Sequence, residues 1–147
     1  MKTKLFNSRF EIGLRVLLIL GEQKLLSVDQ LLAFDFITTY ASSFNLEKDN
    51  LHGDSAFNYS EIANRRQMIN KGISLLRMYS LVDLNCSNQN GYEYSLTDLG
   101  NKIEKQLDDQ YAIRYRKILS KVINKYYGFS SKELMHLINS NLMKELG

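Results

Sequence analysis

Three segments of helical period, a switch to strand alternation at Leu81 and a capped helix straight after it predict a mainly α fold. The order points to a winged-helix-like domain of three helices and a β-hairpin, extended by additional C-terminal helices. The 147 residues fit one domain over 1–147, with a winged-helix-like core over 1–97 and C-terminal helices over 98–147. Hydrophobic residues make up 44% and charged residues 24%, enough to build a core without long disordered tails. Pro is absent, which favours long helices.

The first helix is predicted from about Ser8 to Leu20, with Ser8 as N-cap and Gly21 suited to ending it. Phe10, Leu14, Leu17 and Leu18 recur on its inward face. The run Val16–Leu20 has a superficial likeness to a secretion signal. Glu11 and Arg15 interrupt it and no small-residue cleavage site follows, so a buried helix is expected. Ser27 and Gln30 form a capping-box pattern that opens a second helix carrying Leu31, Leu32, Phe34, Phe36 and Ile37 and ending near Ser42. The polar stretch 43–57 reads as a long loop containing Leu51, His52, Gly53 and Asp54. A third helix from about Tyr59 to Tyr79 turns Ile62, Ile69, Ile73 and Leu76 inward and Glu61, Asn64, Lys71 and Ser74 outward. Gly72 permits a close helix approach.

Leu81–Asn85 and Tyr92–Leu96 alternate around the turn residues Asn88, Gln89, Asn90 and Gly91, which is a hairpin pattern. Thr97 caps a helix starting at Asp98 with Leu99, Ile103, Leu107 and Tyr111 in one stripe. The sequence leaves open whether this helix breaks at Asp108–Asp109 or runs on to Tyr127. Gly128 ends it, and Ser130 and Glu133 offer a capping box for a last helix bearing Leu134, Leu137, Ile138 and Leu142.

Several function classes are disfavoured by what the chain carries. A single cysteine, Cys86, excludes an intramolecular disulfide and multi-thiolate metal sites, which suits a reducing cytoplasm. His52 lies near Asp54 in sequence, but His136 is far away and no ligand spacing accompanies either, so His52 and Asp54 read as loop-structuring residues. Gly13, Gly21 and Gly72 stand alone rather than in a phosphate-binding loop, and no nucleophile elbow surrounds any Ser. The expectation is a protein without catalytic residues, cofactor or metal. No stretch reaches the apolar length of a membrane span.

In a winged helix that reads DNA, the third helix enters the major groove. Arg65, Arg66, Gln67, Asn70 and Lys71 would be the candidates here. A helix-turn-helix has a turn of three or four residues, whereas the fifteen residues Ser43–Phe57 intervene in this chain. Packing or protein binding by the third helix is therefore preferred over base reading. Leu51, His52, Asp54, Arg65 and Arg66 are the candidate partner interface. Arg65 and Arg66 are adjacent and point about 100° apart on a helix, so one of them is able to face inward onto an acid.

The net charge is only +3, but its distribution is uneven. Between Tyr111 and Tyr127 there are basic residues and no acid. Arg114, Lys117, Lys121 and Lys125 share one helical face, opposite Tyr115, Leu119, Val122 and Tyr126. The stripe is either a solvated face or a contact for nucleic-acid phosphate or an acidic partner. Four phosphate contacts would give a slope of log affinity against log salt of about −3.6.

The opening FEIGLR at 10–15, the segment LHGDSAFNYSEIANRRQMINKGISLLRMYSLVDL at 51–84 and YEYSLTDLG at 92–100 together resemble the middle component of bacterial ABC-three-component systems, which include Lamassu-type antiphage and antiplasmid defence. The resemblance implies an accessory subunit that bridges an SMC- or Rad50-like ATPase, which senses DNA, and an effector, often a nuclease. It implies protein partners, DNA contact through the complex, and no catalytic residues to carry over. Two other readings stay open: a free-standing winged-helix transcription regulator, and an antitoxin-like inhibitor of a toxic effector.

Overall fold

The structure is a computed structural model that describes residues 8–51, 59–89 and 91–146. Helix α1 (Arg9–Glu22) starts at Ser8, whose hydroxyl accepts the Glu11 amide at 3.0 Å. From Ile12 to Leu20 every residue but Leu14 is buried, and Leu14 is half-buried. Such a helix is covered on all sides rather than on one stripe. Phe10, expected on the inward face, is 65% exposed, because the first turn lies outside the cover of the neighbouring helices.

Helix α2 (Val28–Thr39) opens with the expected capping box. Ser27 Oγ accepts the Gln30 amide at 3.2 Å, and Gln30 Oε1 accepts the Ser27 amide at 3.0 Å. Leu31 through Thr39 are all buried. A single 3₁₀ turn, Ala41–Phe44, follows α2. Helix α3 (Tyr59–Met78) crosses α1 with two glycines at the contact, where a Cβ on Gly72 would come within 3.1 Å of the Gly13 nitrogen. Ile62, Ile69, Ile73 and Leu76 point inward as expected. Glu61 does not point outward: its carboxylate turns back and is half-buried against Tyr40 and Arg65.

Strands β1 (Val82–Ser87) and β2 (Gly91–Leu96) form the hairpin, in register from Val82 opposite Leu96 to Ser87 opposite Gly91. Gly91 has φ +67°, which an L side chain rarely adopts. Cys86 sits in β1, exposed, opposite Tyr92. Leu26 adds a third strand position, giving its amide to Tyr94 at 3.1 Å and accepting the Tyr94 amide at 2.7 Å.

The base of this wing is fixed to the next helix. Helix α4 (Asp98–Gln106) is capped by Thr97, whose hydroxyl accepts the Gly100 amide at 2.9 Å and donates to the Ser80 carbonyl at 2.7 Å. A Cβ on Gly100 would lie 2.0 Å from the Leu81 carbonyl oxygen, so only glycine fits. The helix breaks at Asp108–Asp109, the alternative that the sequence left open. Asp109 caps α5 (Gln110–Lys125) by accepting the Ala112 amide at 2.8 Å. The Arg116 guanidinium spans the break, donating to the Glu104 carboxylate at 3.0 Å from Nε and to the Leu107 carbonyl.

Helix α6 (Ser131–Leu146) has its capping box: the Ser130 amide donates to Glu133 at 3.0 Å and the Glu133 amide to Ser130 Oγ at 3.1 Å. Leu134, Ile138 and Leu142 are buried and Leu137 is half-buried. Side chains of α1, α2, α3, β1, α5 and α6 share one core, in which α2 touches α1, α3, α5 and α6.

Candidate functional site

Four helices meet on a buried carboxylate. Asp35, 1% exposed, accepts two hydrogen bonds from Arg15 of α1, Nε at 2.8 Å and Nη2 at 3.0 Å. Arg65 of α3 adds a contact at 3.2 Å and the Tyr115 hydroxyl of α5 donates at 2.6 Å. Arg65 also donates to Thr39 Oγ1 at 2.6 Å and to Glu61 at 2.9 Å, and lies over the Phe36 and Tyr40 rings. Tyr40 closes the outer edge by donating to the Glu61 carboxylate at 2.6 Å.

Burial pushes the Asp35 carboxyl up, but the Arg15 and Arg65 guanidiniums and the hydrogen bonds from Arg15 and Tyr115 outweigh it. The group is held well below the usual carboxylate range. Burial alone would lower the Arg15 pKa, and Asp35 reverses that, so the guanidinium stays charged. Burial, and then the Asp35 charge, drive the Tyr115 hydroxyl well above its ordinary 10.0. The network is thus a fixed set of charges shared by four helices, with Arg15, Asp35 and Tyr115 sealed from solvent and Glu61 half-buried at its edge, and it settles which of the adjacent arginines faces inward.

The candidate partner interface is accordingly divided. Arg65, 6% exposed, is consumed by the core. Arg66 is half-exposed and paired with Asp29 across the α2–α3 surface. Leu51 is half-buried against the core, its amide donating to the Thr39 carbonyl at 3.2 Å. His52 and Asp54 lie outside the described residues. On the outer side of α3, Gln67, Asn70 and Lys71 are exposed.

The structure does bring Arg114, Lys117, Lys121 and Lys125 onto one exposed face of α5, with Tyr115, Leu119, Val122 and Tyr126 buried behind it. The sequence did not show what lies over that face. Lys121 binds the Glu47 carboxylate, and Lys125 Nζ donates to the Phe44 carbonyl at 3.1 Å. The hydrogen bond from Lys121 lowers the Glu47 carboxyl below its ordinary value, against a small effect of burial, with added help from Lys121, Lys117 and Arg114 charge. Arg114 borders a polar cleft with Asn45, Leu46, Glu47, Lys48 and Asp49. Arg114 and Lys117 have no hydrogen-bonded partner among the described residues. Two of the four cations are therefore already engaged, and a duplex meeting the face would also meet Glu47.

Among the described residues no group of three or more His, Cys, Asp or Glu side chains is placed to hold a metal ion. No helix among them is long and apolar enough to cross a membrane. A groove of mixed polarity runs between the α1–α2 connection and the end of α5, with Gln23 and Gln30 beside Leu25, Phe34, Tyr127 and Phe129.

The chain thus joins a winged-helix-like fold to a locked polar centre and a partly occupied basic face. The chain belongs to the family described as ABC-three component (ABC-3C) system Middle Component 2, whose family model matches residues 5–147. Membership in a multi-subunit system implies protein partners. No curated protein and no solved structure shows a significant match to the chain.

Proposed function

We propose that this chain is a non-catalytic subunit that bridges an SMC- or Rad50-like ATPase and an effector, most often a nuclease, in a Lamassu-type antiphage and antiplasmid complex of the bacterial cytoplasm. The observation that carries this reading is the family match, which spans nearly the whole chain. Two features of the fold support it. The charged network ties α1, α2, α3 and α5 into one body, so that a contact on one helix is held in fixed relation to a contact on another. Tyr127, 81% exposed, and Leu25, 45% exposed, stand at the groove beside the end of α5, the kind of aromatic and aliphatic anchors that protein interfaces use.

The test is co-purification. With the genes neighbouring this one co-expressed, the tagged full-length chain should retain a coiled-coil ATPase and an effector through gel filtration. Recovery of the chain alone, with the other subunits expressed and soluble, would refute the bridge. A transcription regulator is the second reading, favoured by Gln67, Asn70 and Lys71 exposed on α3 and weakened by the loss of Arg65 to the core. It predicts dimeric binding to a defined operator, whereas a bridge binds DNA weakly and without sequence preference.

A further inference from the structure

The chain already docks one of its own loops, carrying Glu47, Lys48 and Asp49, on the basic face of α5. Residues 42–50 form a loop pinned at its ends: Asn50 Oδ1 accepts from the Ser42 amide at 2.9 Å and from its hydroxyl at 2.6 Å. The Leu46 amide donates to the Ala41 carbonyl at 2.9 Å, and the Leu46 side chain packs on the core. At the tip, Glu47 meets Lys121, while the Phe44 carbonyl meets Lys125. One carboxylate and one peptide carbonyl thus occupy the C-terminal half of the stripe. Arg114 and Lys117 continue it, exposed, along the other half.

We propose that this face is a receptor for an extended acidic segment of a partner protein, with Glu47 as its intramolecular stand-in, so that incoming carboxylates engage Arg114 and Lys117 and then displace Glu47 from Lys121. The proposal rests on the bridging role and names the chemistry of one of its contacts. Two features favour a peptide over a nucleic-acid backbone. Successive stripe cations are three or four residues apart, a rise of about 4.5–6 Å. Carboxylates at alternate positions of an extended peptide recur on one side about 6.6 Å apart and adjust by side-chain rotation, so they can follow that row. A duplex, in contrast, is stiff and cannot adjust its phosphates to the row by side-chain rotation.

The test titrates the full-length protein at low salt with a fluorescein-labelled ten-residue peptide of alternating Glu and Ser, and with a labelled 20-base-pair duplex. Glu47→Gln should tighten peptide binding about 1.4- to fivefold, the range set by the worth of an exposed ion pair. Asp49→Asn removes a neighbouring charge that no described residue hydrogen-bonds, and should give a smaller gain. Lys121→Gln should weaken peptide binding and abolish the gain from Glu47→Gln. No peptide binding to either protein, no gain from Glu47→Gln, or a gain no larger than that of Asp49→Asn would overturn the proposal. So would an equal gain for the duplex, which would make the face a nucleic-acid contact. Failure here leaves co-purification of the subunits unaffected, because other surfaces can carry the bridge; failure of co-purification would be seen without the peptide.

Discussion

Replacing Asp35 by Asn removes the negative charge on which Arg15, Arg65 and Tyr115 converge. An Asn side chain keeps one acceptor oxygen but turns an NH₂ group toward guanidinium donors. It also leaves Arg15, 1% exposed, charged and uncompensated in the core. Breaking a buried ion pair on one side costs about 3–5 kcal/mol, a large share of the ~5–15 kcal/mol that holds an ordinary domain folded. At ~2–4 °C per kcal/mol for a domain of this size, the melting temperature should fall by roughly 6–20 °C. Thermal and urea unfolding of the full-length chain at neutral pH, followed by circular dichroism, measure it. A loss below about 1 kcal/mol would refute the view that Asp35 is the centre of a sealed charge network. The same network sets an acid limit. Asp35 titrates lower in the folded than in the unfolded chain, so its contribution is full above the ordinary carboxylate range of about 4 and disappears as pH falls through the folded value. Asp35→Asn should therefore flatten the loss of stability in acid.

At the alkaline end, the folded chain keeps the Tyr111 and Tyr115 protons that the unfolded chain loses, so stability should fall as pH rises above about 10. Tyr115→Phe should reduce that slope while costing about 1.5–3 kcal/mol at neutral pH, both read from urea midpoints. Gly100→Ala should destabilise by about 1–3 kcal/mol or more, because its Cβ would overlap the Leu81 carbonyl. Helix propensity alone would make the same change stabilising by about 1 kcal/mol, so the sign of the shift in urea midpoint decides between them. Arg65→Met should cost about 3 kcal/mol or more, since it opens the buried pair with Asp35. Arg66→Met should cost less than about 1 kcal/mol, since its pair with Asp29 is open to solvent, and parallel melts of the two variants compare them directly.

Local signals in the sequence located most of the fold. The capping boxes at Ser27 and Ser130, the Thr97 cap and the alternation on either side of Asn88 each act within a few residues, so a linear reading finds them. The break between α4 and α5 was undecided because neither Pro nor Gly marks it. Asp109 supplies the cap, and Arg116 stabilises the corner through groups of Glu104 and Leu107 that only tertiary structure brings near. Leu26 gave no strand signal because a single bridged residue has no period. The central network was hidden for a related reason. Arg15 and Asp35 each look like an interruption of an apolar helix, and Tyr115 is 80 residues from the carboxylate to which it donates. The basic stripe on α5 was legible from spacing alone. Its partial neutralisation was not, since Glu47 lies 74 residues from Lys121 in a loop whose fold depends on Asn50 and Leu46.

The bridging role is tested most directly by reconstitution with one component left out. The ATPase and effector encoded beside this chain are purified separately, and their association is followed by analytical gel filtration with and without the full-length chain. The two should co-elute only when the chain is present, and the chain should add no nuclease or ATPase activity of its own. Equal association in its absence, or an activity abolished by a point substitution within it, would rule out a non-catalytic bridge.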